Sequence, residues 1–266
     1  MAFSVEGASY PIRGTDTDWA DKLQLSALFS LMQESALNNA ETCGWGPDVL
    51  DPLGVRWVLL RVSVRMEAFP TWRDSLYVET WPRGLDRLLF LRDFSFWLPG
   101  KDGGRRVRIG GATSSWVLVD MHTRKLRRPD IVPTDPDRVR PDLRALESNA
   151  PSLSARTGLS EGTPVIVKYA DACDIDRNLH VNNTRYVAWS VDAIHCLVDD
   201  RPRLGGIDIQ YVSEARFGDK LAVYAVAESS DKGCRVFHVE GCEALSGRSV
   251  FRAILYEDSA RTAVDL

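Results

Sequence analysis

Several things are missing from this 266-residue chain, and each absence closes a class of function. No run of about 18 apolar residues occurs, so no segment reads as membrane-spanning. Positive charge is not in excess: 33 Lys and Arg stand against 37 Asp and Glu, a formal charge of −4, which argues against a nucleic-acid partner because such proteins neutralise phosphates with a basic surplus. The five cysteines, Cys43, Cys173, Cys196, Cys234 and Cys242, form no CxxC pair and are odd in number. The start MAFSVEGASY lacks the basic and apolar blocks of a signal peptide, so reduced thiols and a cytoplasmic protein are expected.

Motifs for the common cofactors are absent too. There is no Gly-x-x-x-x-Gly-Lys and no dinucleotide fingerprint. Asp174, Asp176 and Asn178 imitate the start of a calcium loop, but Leu179 stands where the loop needs Gly and Arg185 where it needs the bidentate Glu. Cys173 with His180, or His195 beside Cys196, falls short of four zinc ligands. The expectation is no metal and no cofactor.

What is present is organised twice. Between Gln24 and about Cys43, Leu25, Leu28, Phe29, Met32, Ala36 and Ala40 recur at spacings of three and four, the pattern of one buried helical face, and Gly44 supplies a stop. Between Asn183 and about Val198, apolar residues cover most of the circumference, which predicts an enclosed helix. Each helix is followed by four strand-like runs: Trp57–Met66, Ser75–Trp81, Leu88–Trp97 and Gly111–Asp120, then Gly206–Val212, Lys220–Ala227, Val236–Cys242 and Ser249–Tyr256. The stretch 131–162 between them is rich in Pro and Ser, has no apolar period and reads as a linker. The expected domains are 1–130, a linker 131–162, and 163–266.

The two halves align. Asp16-Thr17-Asp18 and Asp174-Ile175-Asp176 precede the two helices in register, and Phe69–Leu76 can be set against Glu214–Leu221. An internal duplication accounts for this. The copies differ where chemistry would sit: Ala20, Lys22 and Phe69 in the first answer to Asn178, His180 and Glu214 in the second. One catalytic copy and one scaffold or pocket copy are expected.

In the second copy, alternation in an extended stretch would project Asp174, Asp176, Asn178 and His180 to one side. Asn182 or Asn183 is a good N-cap, and the helix start beyond it would stabilise negative charge developing on a carbonyl oxygen. Imidazole is the side chain suited to exchanging protons near neutral pH, which makes His180 the best general-base or orienting candidate. Glu214, where a strand turns, would accept a proton from water or hold the His180 tautomer.

The run Asn178-Leu179-His180-Val181-Asn182-Asn183-Thr184-Arg185-Tyr186-Val187-Ala188-Trp189 resembles the signature of the acyl-ACP thioesterases. Leu31–Ala36, Gly54–Leu59 and Phe69–Asp74 are similar to further blocks of that family in the same order. The resemblance implies an α+β double hotdog, two antiparallel sheets each wrapped around a long central helix. It implies hydrolysis of the thioester between a fatty acyl chain and acyl carrier protein, with Asp176, Asn178, His180 and Glu214 as active-site residues. Many plant members carry Cys after the active-site Glu, whereas this chain has Ala215, so no thiol at that position can act. Direct attack by water follows, with Glu214 or His180 taking the proton.

The family's acyl tunnel is attributed largely to the N-terminal half, which makes Leu28, Met32, Trp57 and Leu59 the candidate lining, with core packing as the competing role for each. Acyl carrier protein is acidic, so Arg105, Arg106 and Arg108, or Lys125, Arg127 and Arg128, are the candidate docking residues, with a solvated turn as the competing role. An acyl-CoA thioesterase and a non-catalytic acyl-binding protein on the same fold are the rival functions. A homodimer is compatible with the sequence and is not demanded by it, and chain length is not legible.

Overall fold

The computed structural model describes residues 5–100, 104–132, 136–229 and 234–258. The chain divides into two compact units, Met1–Ala150 and Pro151–Leu266. In the first, β1 (Glu6–Pro11) precedes α1 (Leu25–Thr42), a short α2 (Pro47–Leu50), and the strands β2 (Val55–Met66), β3 (Ser75–Asp86), β4 (Leu89–Leu98), β5 (Val107–Asp120) and β6 (Leu126–Arg127). In the second, β7 (Ile166–Tyr169) precedes α3 (Asn183–Leu197) and the strands β8 (Leu204–Tyr211), β9 (Lys220–Ser229), β10 (Arg235–Glu243) and β11 (Ser249–Glu257).

Both units have the same topology. The first sheet runs β1-β3-β4-β5-β2 and the second β7-β9-β10-β11-β8, every pair antiparallel, so each of these strands has a counterpart in the same place, and only the two-residue β6, paired with β5, has none among the described residues. The helices agree as well: α1 packs on β1 and β3, and α3 on β7, β9 and β10. The duplication inferred from side chains is therefore repeated in the order of the strands. The short edge strands β1 and β7 escape the periodicity because only every second residue of each is even partly sheltered.

On α1 the buried side chains are Leu25, Leu28, Phe29, Met32, Ser35, Ala36 and Asn39, one face of a 3.6-residue period. Each large apolar group removed from water there contributes roughly 1.5–3 kcal/mol. Gly44 ends the helix at φ 71°, a left-handed conformation open to glycine. The enclosed helix expected in the second half is instead amphipathic: Tyr186, Val187, Trp189, Ser190, Ala193 and Ile194 are buried, while Asp192 and Cys196 face solvent. Asp192 is salt-bridged to Lys168 of β7 at 2.8 Å, and Val191, Leu197 and Val198 are only partly buried, so the apolar residues around the circumference do not make an enclosed helix. At Gly241, where the β10–β11 register shifts, a Cβ would lie 2.0 Å from the fully buried Phe251 ring, so the bulge requires glycine.

The Pro-rich segment is held by specific hydrogen bonds in both units. In the first, Trp81 Nε1 donates to Leu143 O (3.1 Å), Ala145 N to Asp93 Oδ2 (2.9 Å), and Arg83 binds both Asp93 and Asn149. In the second, Leu153 N donates to Gln210 Oε1 (2.7 Å), Arg252 Nη1 to Leu153 O (3.2 Å), and Arg156 pairs with Glu228. Among the described residues no helix is long and apolar enough to cross a membrane.

Candidate active site

The segment before α3 is a pair of turns, not the extended stretch expected from its alternating side chains. Residues Ala172–Asp174 form a 3-10 turn, and Ile175 then bridges to Val181 around a second turn. Asp176 closes that turn: its backbone N–H donates to His180 O (2.9 Å), and its carboxylate accepts the Asn178 N–H (2.7 Å). Leu179 sits at φ 62° at the tip. Asp and Asn compete with extended backbone through such local hydrogen bonds, which is why the alternation misled.

The first copy builds the same turn from different residues. Asp18 accepts the N–H groups of Ala20 (2.8 Å) and Lys22 (3.0 Å), its own N–H reaches Lys22 O, and Asp21 takes φ 57°. A second turn faces each: Asp74 accepts Thr71 N–H in the first copy, and Asp219 accepts Arg216 N–H in the second, with Arg73 (φ 72°) matched by Gly218 (φ 87°). One backbone bond joins the paired segments in each copy, Leu23 N to Pro70 O and Val181 N to Ala215 O, both 2.9 Å.

That last bond makes the site. Val181 and Ala215 are joined, so the residues before them, His180 and Glu214, become neighbours across the two segments. His180 Nε2 lies 2.9 Å from Glu214 Oε2, with the imidazole largely buried and the carboxylate about half exposed. A hydrogen bond there places the proton on Nε2, fixing the tautomer. Arg248 Nη1 donates to Glu214 O (3.2 Å), and Arg216 Nη2 stands 4.0 Å from Glu214 Oε2.

The helix begins immediately beyond. Asn182 is the N-cap, its Oδ1 accepting Thr184 N–H (3.0 Å) and Thr184 Oγ1–H (2.8 Å). Arg185 ties this first turn back to Asp174 (2.9 Å) and to Cys173 O (3.0 Å). Asp176, Asn178, His180 and Glu214 are thus gathered in one pair of facing turns at the N-terminus of α3. Asp174 belongs to the supporting frame through Arg185.

The remaining candidates lie in the first unit. Leu28 and Met32 are buried on α1 and Leu59 on β2, while Trp57 donates its Nε1–H to Trp45 O (3.1 Å) and meets Phe90 edge-on at 4.6 Å. Arg105 is exposed, Arg106 stacks on the Tyr77 ring at 3.4 Å, and Arg108 binds Glu67 (3.2 Å) and Ala145 O (2.8 Å). Lys125 and Arg128 are exposed, and Arg127 is paired with Asp120 at 3.0 Å. Sequence reasoning missed Arg216 and Arg248 near Glu214, because the two arginines reach it only through turns.

Comparison with known proteins agrees with both copies. Residues 5–133 match the model of the acyl-ACP thioesterase N-terminal domain, and residues 157–253 match that of the C-terminal domain. Oleoyl-acyl carrier protein thioesterase 2, a chloroplastic protein of Arabidopsis thaliana, is 27% identical over 78% of this chain, which spans only 59% of that protein's length. An acyl-ACP thioesterase structure from Bacteroides thetaiotaomicron superposes with a TM-score of 0.80 at 25% identity, covering 96% of this chain and 98% of that one. The 12:0-ACP thioesterase of Umbellularia californica shares the fold with a TM-score of 0.80 at 23% identity, over 97% and 95% of the two chains. These matches make each unit a hotdog of an α+β double hotdog, and the chain belongs to the acyl-ACP thioesterase family.

Proposed function

We propose that this chain hydrolyses the thioester joining a fatty acyl group to the phosphopantetheine arm of acyl carrier protein, releasing the free fatty acid. The observation that carries the reading is the 2.9 Å His180–Glu214 contact at the start of α3, in the copy whose counterpart residues are Lys22 and Phe69. Glu214 takes a proton from water as its oxygen bonds to the thioester carbon. The C–S bond then breaks, and the departing thiolate takes the proton from Glu214. His180 and Asn178 position the water and the carbonyl, and Asp176 holds the turn that presents them. The N-terminus of α3 supplies a positive field for the developing oxyanion. Ala215 places no thiol beside Glu214, which is consistent with water as the nucleophile.

The same reading assigns the acyl chain to apolar side chains of the first unit, Leu28, Met32, Trp57 and Leu59. It assigns the acidic carrier to exposed arginines there, Arg105 and Arg106 foremost, because Arg108 and Arg127 are already paired with carboxylates. The test is turnover of acyl-ACP and acyl-CoA panels of graded chain length, with His180→Ala and Asn178→Ala alongside. Faster release of fatty acid from acyl-ACP, abolished in both variants, is expected. Preference for acyl-CoA would replace the carrier, and tight binding without cleavage would replace the chemistry.

A further inference from the structure

Leu179 stands at the tip of the turn before α3 in a left-handed backbone conformation, φ 62°, and is 75% exposed. A leucine there serves neither the turn nor the core: its Cβ crowds the backbone at positive φ, and its apolar side chain is left in water. The first copy shows what the turn itself accepts, because Asp21 holds the same position at φ 57°, and short polar residues suit that conformation. The fold therefore does not ask for an apolar side chain at residue 179.

Two more bare apolar side chains stand on neighbouring turns. Phe217, 68% exposed, is on the turn that Asp219 closes by donating its N–H to Arg216 O at 3.0 Å. Its counterpart in the first copy, Trp72, has the Arg73 guanidinium over its ring at 4.1 Å, whereas Phe217 is followed by Gly218, which has no side chain to cover it. Leu245, 94% exposed, is on the hairpin turn between β10 and β11. That hairpin is tied to the second turn, Ala244 N donating to Lys220 O (2.8 Å) and Arg248 Nη1 to Glu214 O (3.2 Å), and the Val181–Ala215 bond (2.9 Å) ties the second turn to the first. Single exposed apolar residues are ordinary surface, but three on linked turns around His180 and Glu214 form the kind of patch that marks an interaction site.

The charge around them is distributed to match. The carboxylates of Asp176, Asp219 and Glu243 accept backbone N–H groups within their own turns, from Asn178 (2.7 Å), Arg216 (2.8 Å) and Leu245 (3.0 Å). Glu214 aside, the exposed charges on the three turns are Arg177, Arg216 and Arg248. An apolar centre with a basic rim is complementary to an acidic protein that brings apolar side chains of its own.

We propose that Leu179, Phe217 and Leu245, rimmed by Arg177, Arg216 and Arg248, are the surface on which the acidic carrier protein seats, delivering its thioester to His180 and Glu214. This rests on the carrier being the bearer of the acyl group, and it adds to Arg105 and Arg106 of the first unit a contact in the unit that holds the site. The three side chains are covered only while the carrier is docked, so they act on its affinity and not on the chemical step. Coenzyme A offers no apolar protein surface to cover them, so the patch favours a protein-borne thioester over a free one.

The experiment uses the full chain with Leu179→Asn, Phe217→Ser and Leu245→Ser, singly and together. Binding of apo-carrier protein, which lacks the phosphopantetheine arm and so reports the protein surface alone, is followed by chemical-shift titration. Beside it are measured Tm, and kcat and KM for acyl-ACP and for an acyl thioester of N-acetylcysteamine. The triple variant is expected to weaken apo-carrier binding and raise KM for acyl-ACP about tenfold or more, with kcat and turnover of the small thioester within about twofold. Its Tm should be equal or higher, because asparagine suits the left-handed turn and no buried contact is lost. Unchanged carrier affinity in the triple variant overturns the proposal. Equal losses on both thioesters assign the tips to the shape of the site, and losses that track a falling Tm assign them to the fold; either overturns it. A wild type that cleaves the small thioester and acyl-CoA but binds no apo-carrier and spares acyl-ACP overturns the carrier reading itself, a failure visible before any variant is made.

Discussion

Glu214→Gln separates proton acceptance from geometry better than any other single change. The amide oxygen of Gln still accepts the His180 Nε2–H, so the 2.9 Å contact and the tautomer it fixes survive. The backbone bonds that place residue 214, from Arg248 to its carbonyl and from Val181 N to Ala215 O, are untouched. What disappears is the ability to take a proton from water. A positioned general base contributes about 10²–10⁴-fold, equivalent to about 2.7–5.4 kcal/mol of transition-state stabilisation, and kcat should fall by that factor with KM little changed. Stability should hardly move: the carboxylate is about half exposed, so the lost charge is worth less than about 1 kcal/mol, within about 2–4 °C of Tm for a chain of this size. The assay is release of free fatty acid and carrier thiol from acyl-ACP under saturation, with Tm by calorimetry. A loss of kcat below about tenfold would refute the reasoning, because a residue that still orients His180 but no longer accepts a proton would then suffice, leaving His180 as the base.

Three other predictions follow from named contacts. Cys173→Ser should retain kcat within about twofold, because Cys173 is exposed and its link to the site is its backbone carbonyl oxygen, which accepts from Arg185, and not its thiol; an inactive variant would reopen covalent catalysis. Charge reversal of Arg105 and Arg106 should raise KM for acyl-ACP by about tenfold at low salt, about 1.4 kcal/mol, and leave small thioesters alone, with the difference shrinking in high salt. Equal effects on both substrates would remove the docking assignment. Finally, the Arg156 guanidinium holds the Glu228 carboxyl below its ordinary 4.5, so the stability it lends to the segment around Leu153 is present above pH 4.5 and is lost as pH falls through the lower folded value. Hydrogen exchange at the Leu153 N–H, corrected for intrinsic rate, should lose protection in that window, and unchanged protection down to pH 3 would show that this ion pair does not hold the segment.

The elements that were legible in the sequence are those whose side chains carry a long period. Both long helices and all eight longer strands announce themselves to within about five residues of their ends, because their buried side chains either recur with the period of the element or, as in β4 and β5, run unbroken through its middle. The Pro-rich segment carries no period, and what fastens it lies elsewhere in the chain: Asp93, fully buried in the middle of β4, accepts the Ala145 N–H, and Gln210 of β8 accepts the Leu153 N–H. Nothing local in 143–153 predicts those partners. In the opposite sense, Arg92 and Asp93 interrupt the apolar run of β4 and look misplaced until their partners are seen. Arg92 bonds Asn39 of α1 at 2.6 Å, and Asp93 meets Arg83 and Thr113.

The candidate site shows why a duplicated frame and its chemistry can part company. Asp18 and Asp176 close equivalent turns, Asp74 and Asp219 close the facing pair, and Leu23–Pro70 and Val181–Ala215 join them, so both copies spend the same polar residues on holding backbone. Local hydrogen bonds of this kind are indifferent to what the adjoining side chains do. The first copy can therefore carry Lys22 and Phe69 in the places where the second carries His180 and Glu214 without disturbing either turn. An Asp-x-Asp repeat ahead of a helix is consequently evidence for the frame alone. The evidence for chemistry is the pair of side chains that the frame brings together, and only in the second copy does that pair consist of an imidazole and a carboxylate 2.9 Å apart.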